Sequence, residues 1–67
     1  MVTLHVNGEL RRSDRDITVL ELLAELEINA PAIAVEVNRS IVPKSAHETH
    51  RLKDGDHIEI VTFVGGG

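Results

Sequence analysis

The first residues alternate apolar and polar side chains in a pattern that predicts two paired β-strands. The segment VTLHV places apolar residues at every second position, which is the period of a strand with one buried face. The pair Asn7-Gly8 follows directly, and it is typical of a two-residue type I′ turn because both central residues of that turn need positive φ. We therefore expect Glu9 to Ser13 to run back antiparallel to the first strand.

The next apolar pattern has the period of an α-helix. Within ITVLELLAELEI, apolar side chains recur at i, i+3, i+4 and i+7, at Val19, Leu22, Leu23 and Leu26. Thr18 and Glu21 have the spacing of a capping box, and Ile17 is placed to form a hydrophobic staple with the first turn. Asn29 and Pro31 are typical of a helix stop.

Two further strands and a short extended piece are predicted in the second half. The segment AIAVEVN reads as a strand, followed by a turn at Asn38-Arg39 and an extended piece at Ile41 and Val42. The stretch from Lys44 to Arg51 is polar and has no clear period. A turn at Asp54-Gly55 then leads into a last strand, HIEIVTFV.

The order strand, strand, helix, strand, short strand, strand predicts an α+β protein of the β-grasp (ubiquitin-like) class. It implies a mixed sheet of four to five strands covered by one main α-helix, with the first and last strands parallel at its centre. We expect residues 1–67 to form a single domain with a flexible glycine tail at 65–67. A fold class alone does not establish a function.

Composition narrows the possible chemistry. The chain has 67 residues and no cysteine, so disulfides and thiolate zinc sites are excluded. Its net charge of −4 argues against nucleic acid as a partner and favours a positively charged protein surface. Because no apolar run approaches the length that spans a bilayer, we expect no membrane association and a cytoplasmic location. A monomer with transient partners is the simplest expectation.

No catalytic or metal-binding constellation stands out. The four histidines, His5, His47, His50 and His57, lack the ligand spacing of known metal sites, and we expect them to face solvent. The acidic residues near Asp54, Asp56 and Glu59 fit turn chemistry and a solvated strand face better than paired catalytic carboxylates. The sequence predicts no catalytic residue, no metal site and no cofactor bound by this chain.

The C-terminal glycines are the most unusual feature. Gly65, Gly66 and Gly67 end the chain directly after the last predicted strand. They could be a frayed end or a remnant of cloning. Alternatively, because glycine has no Cβ, they could lie extended in a narrow channel of another enzyme. There the Gly67 carboxylate could be coupled to AMP and then attacked by a nitrogen or sulfur nucleophile.

The chain resembles the ThiS-type sulfur carriers of thiamin thiazole synthesis over essentially its whole length. The segment VEVNRSIVPK is similar to the family's strand, turn and Pro-basic motif, and LKDGDHIEIVTFVGGG is similar to its Asp-Gly-Asp turn, last strand and glycine end. One departure is that Ala46-His47 stands where family members often carry an aromatic residue.

The resemblance implies a cycle in which the chain is a protein co-substrate and not an enzyme. A ThiF-type adenylyltransferase would use ATP and Mg²⁺ to adenylate Gly67. A persulfide from a cysteine desulfurase or related donor would then produce a C-terminal thiocarboxylate, and thiazole synthase would accept its sulfur. Alternatives are a sulfur carrier for molybdopterin synthesis or tRNA thiolation, and a non-covalent β-grasp interaction module with an inert tail.

Strand alternation adds a predicted docking surface. If Ile58 and Ile60 face the helix, Val61 and Phe63 lie on the opposite sheet face, beside the start of the tail. The chain has one Phe, Phe63, and no Trp or Tyr. Aromatic side chains of these types anchor many interfaces. We predict partner docking through Val61, Phe63 and Val64. The alternative is that Phe63 completes the core.

Overall fold

The structure is a computed structural model, and it describes residues 1–63. Five strands form one sheet in the order β2-β1-β5-β3-β4, with bounds β1 Val2–Val6, β2 Glu9–Ser13, β3 Ala32–Val37, β4 Ser40–Val42 and β5 His57–Phe63. β5 is central and runs parallel to β1 and antiparallel to β3. The predicted order of elements, the mixed sheet and the parallel pairing of the first and last strands are confirmed.

Both predicted hairpins turn through residues with positive φ. Val6 pairs with Glu9 across the first turn, where φ is 50° at Asn7 and 84° at Gly8. The β3–β4 turn has φ values of 51° at Asn38 and 72° at Arg39. Positive φ at both central residues is the conformation that matches the right-handed twist of paired strands.

The helix α1, Val19–Glu25, begins as predicted and ends sooner than predicted. The Thr18 hydroxyl accepts from the Glu21 N–H at 3.1 Å, and the Glu21 carboxylate accepts from the Thr18 N–H at 2.8 Å, which is the predicted capping box. At the other end Glu27 adopts a φ of 56°. The Ile28 N–H then bonds the Leu23 carbonyl at 3.1 Å, as in a Schellman motif. This motif stops the helix before Asn29 and Pro31.

The core lies between α1 and one face of the sheet. Its members are apolar and almost fully excluded from solvent: Val2, Leu4, Val6, Ile17, Val19, Leu22, Leu23, Val35, Val37, Val42, Leu52, Ile58 and Ile60. Burying side chains of this size contributes about 1.5–3 kcal/mol each. This cluster therefore has to supply most of the stability of a chain without disulfides.

The polar segment after β4 packs against the start of α1. It opens with a 3₁₀ helix, Lys44–Ala46, and the carbonyls of His47 and His50 accept the first free helical N–H groups, those of Leu20 and Val19, at 2.8 and 3.0 Å. His47 is only 6% exposed, and its Nε2 lies 3.1 Å from the carbonyl oxygen of Val42. The prediction that this histidine faces solvent is wrong, because the capping of the helix draws the segment inward.

Candidate docking surface and C-terminal arm

The strand that precedes the glycines is paired on both sides at its start and on one side further along. β5 pairs with β1 at His57 and Ile58, and with β3 from Ile58 to Phe63. Val64, Gly65, Gly66 and Gly67 lie outside the described residues, so the assignments made to them remain predictions. What the described residues provide is a central strand that carries the chain to the point where these four residues begin.

The last residues of β5 expose two apolar side chains on the sheet face opposite α1. Val61 is 50% exposed and Phe63 is 54% exposed, while Ile58 and Ile60 point into the core as predicted. Across β3 their register partners are Ala34 and Ala32. We call these four residues, Val61, Phe63, Ala32 and Ala34, the open-face patch. The exposure of Phe63 excludes the alternative that it completes the core.

Beyond the patch, the open-face residues of β5 are polar, whereas the outer strands carry the exposed Leu10 and Ile41 as register partners of His5 and Glu36. Glu36 and Glu59 are register partners next to the patch. Like charges directly opposite each other in a sheet repel. Further along, the rings of His5 and His57 stack with centroids 4.3 Å apart and planes 4° from parallel. Along β5, the open face therefore runs from an apolar end at Phe63, through an acidic rung, to a pair of imidazoles.

The aspartates of the Asp-Gly-Asp turn bind backbone groups. Asp54 Oδ1 accepts from the Thr3 N–H at 2.7 Å, and Asp56 Oδ2 accepts from the Lys53 N–H at 2.8 Å. Gly55 has a φ of 89°, a conformation that glycine adopts without strain. These contacts support the interpretation of Asp54 and Asp56 as turn residues that tie the start of β5 to β1.

Two asparagines, both with positive φ, clasp β5, one at its start and one at its middle residue. At its start, Asn38 donates from Nδ2 to Asp56 Oδ1 at 2.9 Å and accepts from the His57 N–H at 3.0 Å. Further along, Asn7 Oδ1 accepts from the Ile60 N–H at 2.7 Å and Asn7 Nδ2 donates to the Ile60 carbonyl at 3.1 Å. Neither clasp was predicted, because the turn signal of an asparagine does not reveal what its side chain binds.

Titratable groups give little sign of a reaction centre within the described residues. The hydrogen bond from the Thr18 backbone N–H lowers the pKa of Glu21, which is a helix-cap effect. No three His, Asp or Glu side chains among residues 1–63 lie close enough together to hold a metal ion. No helix in this part of the chain is long and apolar enough to cross a membrane.

A sequence model of the ThiS family matches residues 4–67, which include the terminal glycines. Among solved structures, the crystal structure of the thiamine biosynthesis protein ThiS from Geobacter metallireducens is similar with a TM-score of 0.83 and 35% sequence identity. The match covers 98% of this chain and 100% of that one. Both the sequence pattern and the β-grasp fold are therefore shared with this family over nearly the full chain.

Curated relatives are of two lengths. The sulfur carrier protein ThiS of Bacillus subtilis is 38% identical over 65 residues, covering 96% of this chain and 98% of that protein. A thiazole synthase of Paramagnetospirillum magneticum is 47% identical over 64 residues, but there the match spans only 20% of the relative's length. Together with the family model and the shared fold, these matches show that the chain belongs to the ThiS family of sulfur carrier proteins.

Proposed function

We propose that this chain carries sulfur as a thiocarboxylate on Gly67 and delivers it to thiazole synthase in thiamin biosynthesis. The observation that carries the proposal is the family match, which runs through the terminal glycines. The described structure supports it with a central strand, β5, that leads from the core to the chain terminus.

Activation of Gly67 requires another enzyme, because a free carboxylate is a poor electrophile. A ThiF-type adenylyltransferase with ATP and Mg²⁺ forms the acyl-adenylate and releases pyrophosphate. The terminal sulfur of a donor's persulfide then attacks the carbonyl carbon and expels AMP. A second thiol attacks the donor's sulfur in the resulting acyl disulfide, which forms a new disulfide with the donor and releases the thiocarboxylate on Gly67. Since this chain has no cysteine, the donor persulfide and the second thiol belong to partner proteins such as a cysteine desulfurase.

Docking on the activating enzyme uses the open-face patch together with Val64. Val61 and Phe63 are exposed apolar side chains on the strand that leads to the reactive end, so a partner that covers them also receives the terminus. The neighbouring acidic rung, Glu36 and Glu59, favours a partner with basic side chains around its apolar site. This agrees with the net charge of −4.

Thiazole synthase is the favoured acceptor because of the long relatives. In thiazole synthases from Paramagnetospirillum magneticum and Magnetococcus marinus, the segment similar to this chain makes up 20% of the protein. A carrier-like domain and the rest of a thiazole synthase therefore share one polypeptide there.

Radiolabelled sulfur tests the function in two steps. The protein is first incubated with ATP, Mg²⁺, the activating enzyme and a labelled persulfide donor, and is then purified and added to thiazole synthase with its remaining substrates. We expect label first on the carrier and then in the thiazole. Label that never attaches to the carrier would refute sulfur carriage. Label that attaches but passes to molybdopterin synthase or a tRNA-thiolating enzyme, and not to thiazole synthase, would refute the acceptor.

A further inference from the structure

The backbone of β5 loses its strand partner on one side before the strand ends. β1 pairs with β5 only at His57 and Ile58, because the chain turns away at Asn7-Gly8 into β2. The last backbone bond from this side runs from the Asn7 N–H to the Ile58 carbonyl at 2.9 Å. On the other side β3 continues to pair up to Phe63. The final part of β5 is thus supported by a neighbouring strand on one side only.

The side chain of Asn7 takes the place of the missing strand. The Asn38 N–H donates to the His57 carbonyl at 2.7 Å, so the backbone groups of His57 face the β3 side. Because the backbone groups of successive residues alternate between the two sides of a strand, those of Ile60 face β1. Asn7 Oδ1 accepts from the Ile60 N–H at 2.7 Å, and Asn7 Nδ2 donates to the Ile60 carbonyl at 3.1 Å. One primary amide thereby supplies the acceptor and the donor that a peptide group of β1 would have supplied.

Few residue types at position 7 could both form the turn and bind the backbone of Ile60. The turn needs the φ of 50° found at Asn7, which asparagine tolerates better than most residues with a Cβ. The clasp needs an acceptor and a donor on two separate atoms of one short side chain, which the carboxamide of asparagine offers. Glycine satisfies the turn without the clasp. Aspartate keeps the acceptor and loses the donor.

We infer that Asn7 is a positioning residue for the reaction at Gly67. Among the described residues, Ile60 is the last of β5 with a hydrogen bond on the β1 side, and Val61, Phe63 and the terminus follow it in the chain. By holding Ile60, the amide fixes the part of β5 that carries Val61 and Phe63. When these two residues dock on the activating enzyme, it thereby orients the segment that delivers Gly67 to ATP. The inference rests on the proposed function, because it needs Gly67 to be the reacting group.

Asn38 provides a matched control. It is also a turn asparagine, with a φ of 51°. Its side chain accepts from the His57 N–H at the start of β5 and donates to the carboxylate of Asp56, just before the strand. Those contacts lie at the start of the strand, away from the terminus. Asn7→Gly and Asn38→Gly therefore each remove two side-chain hydrogen bonds, the first at the middle of β5 and the second at its start, and keep both turns.

The test compares pyrophosphate release by the activating enzyme at saturating carrier concentration, at a temperature where all variants are folded. Both substitutions should lower the midpoint of thermal unfolding by similar amounts. Only Asn7→Gly should lower kcat, by about ten- to a hundredfold, since a misplacement of about 1 Å can cost about a hundredfold in a positioned reaction. Amide exchange should be faster at Ile60 in this variant. Should Asn7→Gly fail to fold, Asn7→Asp is compared with Asn38→Asp in the same way.

The outcomes separate this inference from the proposed function. If both variants keep the kcat of the unmodified protein, and the unmodified protein is adenylated, the role of Asn7 is overturned and the carrier function is not. A fall in kcat equal in both variants would assign the effect to general loosening of β5, and would also overturn it. If the unmodified protein is not adenylated at all, the carrier function is refuted and the role of Asn7 in it is refuted with it.

Discussion

Replacing Phe63 with alanine separates a docking role from a packing role. With 54% of its surface exposed, Phe63 gains less than half of the stabilisation of a fully buried phenylalanine, which is about 1.5–3 kcal/mol. Its truncation should therefore reduce the free energy of unfolding by only about 1 kcal/mol. An interface anchor, in contrast, contributes about 2 kcal/mol or more to binding, which corresponds to about a 30-fold weaker affinity when it is removed.

Leu20 offers a matched control, since it is 48% exposed and lies on α1, away from the open face. Urea unfolding should give similar stability losses for Phe63→Ala and Leu20→Ala. Calorimetric titration with the activating enzyme should show a larger dissociation constant, and so weaker binding, for Phe63→Ala alone. An unchanged dissociation constant for Phe63→Ala, or equal weakening in both variants, would refute docking through the open-face patch.

Four further changes test other parts of the molecule. Deleting Gly66 and Gly67 should leave urea unfolding unchanged, because the core lies within residues 1–63, yet abolish pyrophosphate release. Appending one residue after Gly67 should also abolish it, and activity in either variant would contradict the assignment of Gly67. His47→Ala should reduce the free energy of unfolding by about 2 kcal/mol or more, because the ring is buried and hydrogen-bonded; a loss below about 0.5 kcal/mol in urea would contradict its core role. The pKa of Glu21 is lowered from 4.5, chiefly by the hydrogen bond from the Thr18 backbone N–H. The contribution of Glu21 to the free energy of unfolding is therefore present above pH 4.5 and is lost as the pH falls through the lower pKa of the folded state. Glu21→Gln should remove this part of the acid dependence of unfolding, and an identical pH profile would contradict it.

Features that depend on neighbouring residues were predictable from the sequence. The hairpin at Asn7-Gly8 and the capping box of α1 follow from local turn and cap chemistry. The opposite faces of Ile60 and Val61 follow from strand alternation. In each case the residue types and their spacing determine the conformation directly, and the structure confirms all three predictions.

Features that depend on distant parts of the chain were not predictable. The clasp of Asn7 on Ile60 joins residues 53 apart in sequence, and the local pattern around Asn7 specifies only its turn. His47 is buried because its segment caps α1, although the surrounding residues are polar and show no apolar period. The helix stop at Glu27 was missed because the left-handed position that ends a helix is usually filled by glycine or asparagine.

The candidate site was predicted unevenly. The exposed positions of Val61 and Phe63 followed from the period of β5, and the structure confirms their exposure. Their docking role remains a prediction, and so do all assignments to Val64, Gly65, Gly66 and Gly67. The family followed from motifs and is confirmed by the match over residues 4–67.

The mass of the intact protein tests the central claim most directly. The purified chain is incubated with ATP, Mg²⁺, a ThiF-type adenylyltransferase and a persulfide donor, and its mass is compared with that of a sample without ATP. We predict an ATP-dependent increase equal to the replacement of one oxygen by sulfur, located by fragmentation at Gly67. A mass that stays unchanged while the enzyme activates a known ThiS carrier under the same conditions would contradict the account.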